Sequence, residues 1–215
     1  MKTAGHRFSS WAALGLGVSL ALLGGCNIIP PPSADLTRYY VLTIPALRAA
    51  TTTPKTGALR VGLRNVDLAP YLRKGLLVVR TGENEVTFPS DARWAEPLEQ
   101  EIVRSLRAGL TAAPTVGRVH LQPFPLDGER DFDVSVQVFH CEGASAPGSK
   151  SATVKFSALI EISTGGMNPQ LVARKLFVAP ESAWDGRDFA QLVGQLSSAV
   201  AALSQEVVAI LPDKN

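Results

Sequence analysis

The amino-acid sequence predicts an α/β domain, a mostly antiparallel sheet with two main helices packed against it. Three observations predict it. Several runs alternate apolar and polar residues with period two, as half-buried strands do. Only two segments of the mature chain repeat apolar residues at helical spacing. The three best strand runs follow one another across short loops of small and polar residues, which reads as an antiparallel meander.

The elements follow in order. RYYVLTI (Arg38–Ile44) is aromatic and β-branched enough for a strand, and RAATTTPKTG (Arg48–Gly57) is a loop without periodicity. LRVGLRNV (Leu59–Val66) sets Leu59, Val61 and Leu63 against Arg60, Gly62 and Arg64, so one face is buried and both arginines are expected in solvent. GLLVVRTGENEVTF (Gly75–Phe88) reads as a hairpin turning at Thr81–Asn84. Its first arm, Leu76–Val79, is apolar on both faces and is expected in the centre of the sheet.

Pro97 suits the first turn of a helix, where its missing N–H would lack a partner anyway. Leu98, Ile102, Leu106 and Leu110 then share one face, widened by Val103, until Pro114 stops the helix. Arg118–Phe124 is a weak strand. Phe132–Glu142, Thr153–Ser163 and Leu171–Ala179 are the meander. Within it Cys141 alternates with Phe139 on one face, which predicts a packed, inert thiol. Asp188 and Gln191 fit a capping box, and Phe189, Leu192, Leu196, Ala199, Leu203, Val207 and Ile210 mark one face of a long helix ended by Pro212. Its polar face carries Gln and Ser where a membrane-surface helix would carry basic residues, so it belongs across the sheet.

The first 25 residues are of a different kind. Lys2 and Arg7 precede an apolar run from Phe8 to Leu23, too short for a membrane span and right for a secretory signal peptide. Leu23-Gly24-Gly25-Cys26 resembles the bacterial lipobox, in which small residues let the peptide lie extended in a narrow peptidase site and the Cys thiol takes a diacylglycerol through a thioether. Residues 1–25 are thus expected to be removed, Cys26 to carry acyl chains, and 26–36, with Pro30-Pro31-Pro32, to form a semi-rigid tether to a domain at 37–212.

The formal charge of +2 rests on Lys2 and Arg7, so the mature chain is neutral and offers no electrostatic footprint for nucleic acid. With Cys26 acylated, Cys141 has no disulfide partner. His120 and His140 stand in strands without a neighbouring ligand set, so neither a metal nor another cofactor is expected. No phosphate loop and no G-x-S-x-G elbow occur, and the acidic residues are scattered. The chain reads as a non-enzyme.

The features that point elsewhere are YYVL at Tyr39–Leu42, APYL at Ala69–Leu72, and the run from Val78 to Leu98, with VVRTGENEV and RWAEPL at its ends. In these the chain resembles the ABC-type transport auxiliary lipoproteins, the family of paraquat-inducible protein C. Arg73-Lys74-Gly75 stands where the family has Asp-Arg-Pro after the Tyr-Leu turn. The resemblance implies an α/β sandwich with a mixed sheet. It also implies a lipoprotein that meets the periplasmic conduit of an inner-membrane MCE-domain protein of an ABC-type system at the outer membrane. Asn27, where Asp would mark inner-membrane retention, fits that destination. Self-association is compatible with the role.

The candidate partner-binding residues are Tyr71, Arg80, Arg93 and Trp94. Tyr71 in a turn and Arg80 in a hairpin supply residue types enriched at protein interfaces. For Arg93 and Trp94 there is a plainer alternative, a helix-start motif in which Trp94 packs inward, Pro97 fixes the first turn and Glu96 favours the positive helix end. Two other functions are open to the sequence: a lipid carrier with a groove between sheet and helix, and a periplasmic hydrolase whose site converges in space.

Overall fold

The computed structural model describes residues 34–44, 58–125, 129–145, 148 and 151–213. The expected signal peptide (1–25), Cys26 and residues 27–33 of the expected tether (26–36) lie outside the described residues. The chain divides into Met1–Leu36 and Thr37–Asn215; the fold below is that of the second unit.

In chain order the elements are β1 (Arg38–Tyr40), β2 (Leu59–Leu63), β3 (Asp67–Leu68), a 3-10 turn (Pro70–Lys74), β4 (Val79–Gly82), β5 (Glu85–Thr87), β6 (Ala92–Trp94), α1 (Leu98–Ala112), β7 (Val116–Leu121), β8 (Phe132–Ser145), β9 (Ala152–Thr164), β10 (Leu171–Val178), β11 (Ser182–Trp184) and α2 (Phe189–Ile210). The spine is β8 against β9, antiparallel from Phe132↔Thr164 to Ser145↔Ala152. β10 and β11 pair in succession along the other edge of β9, completing the meander. Along the other edge of β8, β2, β3 and β4 follow one another, all parallel to it. β7 adds to β2 in parallel and β5 folds back on β4, while β1 and β6 form a separate parallel ribbon. The sheet is therefore mixed, and both helices pack on one of its faces.

The core lies between that face and the helices. Val134, Val136 and Val138 of β8 and Ala158, Ile160 and Ile162 of β9 meet Ile102, Leu106 and Leu110 of α1 and Leu196, Val200, Leu203 and Val207 of α2, all buried. α2 is long and apolar enough to cross a membrane by length and composition alone. Its stripe from Leu192 to Val207 is instead spent on the core.

Several local expectations change. Leu77 and Val78 are buried but belong to no strand; β4 starts only at Val79 and pairs with the far end of β8, so the first hairpin arm is peripheral. Pro97 stands one residue before α1, where its carbonyl accepts from Gln100 and Glu101. Asp188 caps α2 through Ala190 and Gln191, as the capping box requires, but the Gln191 side chain accepts from Asp185 rather than closing back on Asp188. A bulge between Val138 and His140 separates Phe139 from the core face, so Cys141 joins the row of Val134, Val136 and Val138 instead of sharing a face with Phe139.

Arg60 and Arg64 are not free in solvent. Arg60 bonds Asp131 at 3.0 Å and Glu129 at 2.5 Å, and these carboxylates push its guanidinium pKa up. Arg64 and Arg130 both bond the buried Asp133, and Arg130 stacks 4.0 Å from the Phe124 ring centroid. Gly62 is required beside this group, because a Cβ there would run into the Asp133 carboxylate and the Arg130 side chain.

Candidate functional site

The two helices leave the other face of the sheet open. Side chains at Lys155, Ser157, Leu159 and Glu161 of β9 point to it, and so do those opposite them in register, Glu142, His140 and Gln137 of β8 and Val178, Leu176 and Arg174 of β10. The bulge at Phe139 moves the polar residues His140 and Glu142 onto this open face.

There the turn and the hairpin singled out in the sequence come together. The Tyr71 hydroxyl donates to the Phe139 carbonyl at 2.8 Å and lies 3.4 Å from His140 Nδ1. Arg80 Nε donates to Glu142 Oε1 at 2.6 Å, and His140 Nδ1 is 3.1 Å from the same oxygen. The Arg80 guanidinium also lies 6.0 Å from the Tyr71 ring centroid. Glu142 is fully buried beneath this cover, with Oε2 lacking a hydrogen-bond partner.

The electrostatics make the cluster a fixed set of donors and acceptors. Burial, and after it the Glu142 carboxylate, pushes the Tyr71 phenol well above its ordinary pKa, so its proton stays in place. The hydrogen bond to Glu142 likewise raises Arg80. Cys141 is behind the sheet, on the helix side, where burial raises its thiol far from any nucleophilic range. No group of three or more His, Cys, Asp or Glu able to hold a metal occurs among the described residues.

Sequence reasoning reached Tyr71 and Arg80 but missed Glu142 and His140, which supply their partners. A signal was available. Apolar residues occupy even positions from Phe132 through Val138 and odd ones at Phe139 and Cys141, and such a change of parity marks a bulge.

Arg93 and Trp94 part company. Trp94 is 5% exposed and belongs to the core, so its side chain is not on the surface a partner would touch. Arg93 points outward on β6, opposite Tyr39 of β1. It is on the small ribbon and not on β8, and an isolated bridge pairs it with Leu76.

Beside the cluster the open face turns apolar. A shallow hollow of about 470 Å³ is lined by Phe139, Phe156, Leu176 and Val178 together with His140 and Lys155. Leu176 and Val178 are 57% and 62% exposed on β10, an edge strand. Tyr71, His140, Ser157 and Val178 thus make a continuous row across the sheet. A second hollow of about 730 Å³, between α1 and the 3-10 turn, is lined by Arg73, which is paired with Asp67, by Arg104, which is paired with Glu96, and by Arg107.

The fold and the sequence both have relatives. A Xanthomonas campestris protein of the DUF330 family superposes with a TM-score of 0.64 at 14% identity, over 80% of this chain and 92% of its own. An uncharacterized protein of known structure superposes at 0.59 and 18% identity, over 80% of this chain and 97% of that one. No curated protein matches the chain. The family model described as the ABC-type transport auxiliary lipoprotein component matches residues 40–208, nearly the whole folded domain. The chain belongs to the family of ABC-type transport auxiliary lipoproteins.

Proposed function

We propose that this lipoprotein is a non-enzymatic docking component, holding the periplasmic conduit of an MCE-type lipid transport system at the outer membrane. In this reading residues 1–25 are the signal peptide, acylated Cys26 and residues 26–36 tether the protein, and 37–212 make the contact. The observation that carries it is the open face of the sheet, where Tyr71 and Arg80 are held rigidly beside exposed Leu176 and Val178. A pre-set aromatic and arginine next to an apolar strip is the make-up of an interface centre, because such groups lose little entropy on binding. A lipid carrier would need an apolar cavity between sheet and helices. Among the described residues that space is packed with buried side chains of both layers.

The test is pull-down of the MCE-domain protein from crosslinked envelopes by the full-length lipoprotein. Leu176→Glu and Val178→Glu place charge on the open face without disturbing the core, and Tyr71→Ala and Arg80→Ala, checked by thermal melt, probe the cluster. Folded variants should lose the partner. A wild-type protein that never enriches an MCE or ABC component refutes the docking role.

A further inference from the structure

The small β1–β6 ribbon carries a second exposed face, distinct from the open side of the main sheet. Tyr40, Leu42, Ala92 and Trp94 point inward, so Tyr39, Val41 and Arg93 point outward. Tyr39 is opposite Arg93 in register, and on the other side of Arg93 an isolated bridge brings in Leu76. Tyr39 in β1 and Val41 just after it are 62% and 52% exposed, unusual for an aromatic and a β-branched residue whose neighbours Tyr40 and Leu42 pack inward. Among the described residues Arg93 has no ion-pair partner. Asp91 and Glu96 are the acids at its margin, and Glu96 is already taken by Arg104.

We infer that this face rests on the phospholipid surface. A tyrosine, two aliphatic side chains and an unpaired guanidinium are the chemistry of a lipid headgroup boundary: the ring and methyl groups enter the acyl margin while the cation meets phosphate. Chain connectivity selects a bilayer over a protein as occupant. Ten residues lie between Cys26 and Thr37, just before β1, so the face begins within about 40 Å of the lipidated residue at full extension. A contact too weak to bind a membrane alone is populated when a short tether fixes a high effective concentration.

The ribbon is also built to hold such a contact. Leu42 N–H donates to Glu101 of α1 at 2.7 Å and Thr43 N–H to Ser197 of α2 at 2.9 Å, so the segment leaving β1 is pinned to both helices. The inference rests on acylation of Cys26, and the experiment separates the two. Full-length acylated Val41→Cys protein carries one reactive thiol, since Cys26 is blocked and Cys141 is buried. It is labelled with a nitroxide and reconstituted into vesicles of phosphatidylethanolamine and phosphatidylglycerol. Met167→Cys, at a residue 98% exposed, is the aqueous control.

After flotation with the vesicles, the ratio of oxygen to aqueous nickel accessibility should rise several-fold at position 41 and stay unchanged at 167. Arg93→Glu should reduce that rise. Co-flotation with an aqueous label at 41 overturns the surface while leaving the anchor intact. Failure to float overturns the anchor, and the surface with it. Shielding of position 41 only on addition of the MCE-domain protein overturns the lipid reading in favour of a protein contact.

Discussion

Arg80 Nε lies 2.6 Å from Glu142 Oε1, in a pair whose carboxylate side is wholly buried and whose guanidinium side is 19% exposed. Cutting such a pair on one side leaves an uncompensated buried charge. Arg80→Ala should therefore cost about 3–5 kcal/mol in urea unfolding. Arg80→Met combined with Glu142→Leu removes both charges and should recover most of that loss. If the double variant is no more stable than the single, the penalty does not come from the stranded carboxylate. The pair also bears on docking, because the double variant tests partner binding without the stability loss.

At Gly109 of α1 the two helices approach closely: a Cβ built there would stand 2.5 Å from Ser204 Cβ on α2. Alanine gains about 1 kcal/mol over glycine in helix propensity. Overpacking typically costs about 1–3 kcal/mol, and here the obstructing atom is a Cβ fixed to the backbone of α2, so steric cost decides the sign. Gly109→Ala should destabilise, and Ser204→Gly added to it should relieve the clash. Thermal melts of the two variants provide the check.

Much of this architecture was legible from local periodicity. The stripes of α1 and α2 and the meander of β8, β9 and β10 each declare themselves within a dozen or so residues. What was not legible depends on distant pairing. Arg60 read as solvated because its partners, Glu129 and Asp131, lie about seventy residues away in a loop. Leu77 and Val78 read as a central strand because burial from both sides looks the same whether a neighbouring strand or a packed loop provides it. At the candidate site the turn and hairpin were visible, whereas Glu142 looked like one more polar strand position until the bulge at Phe139 fixed its face.

Cys141 is 2% exposed, and burial, followed by Glu142, raises its thiol. Reaction with a disulfide reagent needs both the thiolate and access. Native protein should stay unmodified at this residue at mildly alkaline pH and react quickly once unfolded in urea. Cys141→Ser would bury a hydroxyl among apolar groups and should cost about 1–3 kcal/mol. Fast labelling of the native state would show that the spine between β8 and β9 opens locally.

Glu101 is the buried acid that gives a pH signature. It is 2% exposed, Oε2 accepts the Leu42 N–H at 2.7 Å, and Oε1 has no hydrogen-bond partner. Burial raises its pKa, against the opposing Leu42 bond. A folded-state pKa above the unfolded one means the native state holds the proton more tightly. Its contribution is therefore fully present below the unfolded value, about 4.3, and is lost as pH rises through the raised folded value. Glu101→Gln keeps an acceptor for Leu42 and never acquires the charge. Relative to wild type it should gain stability as pH climbs through that window and hold a constant difference above it. Urea unfolding of both proteins from pH 4 to pH 8, compared pairwise so that every other titrating group cancels, measures the effect; a difference independent of pH would mean that Glu101 titrates alike in the folded and unfolded chains. Glu101→Ala should instead cost about 1–3 kcal/mol below that window, since it leaves the Leu42 N–H unpaired, and the cost should shrink across the window as the wild type loses its share.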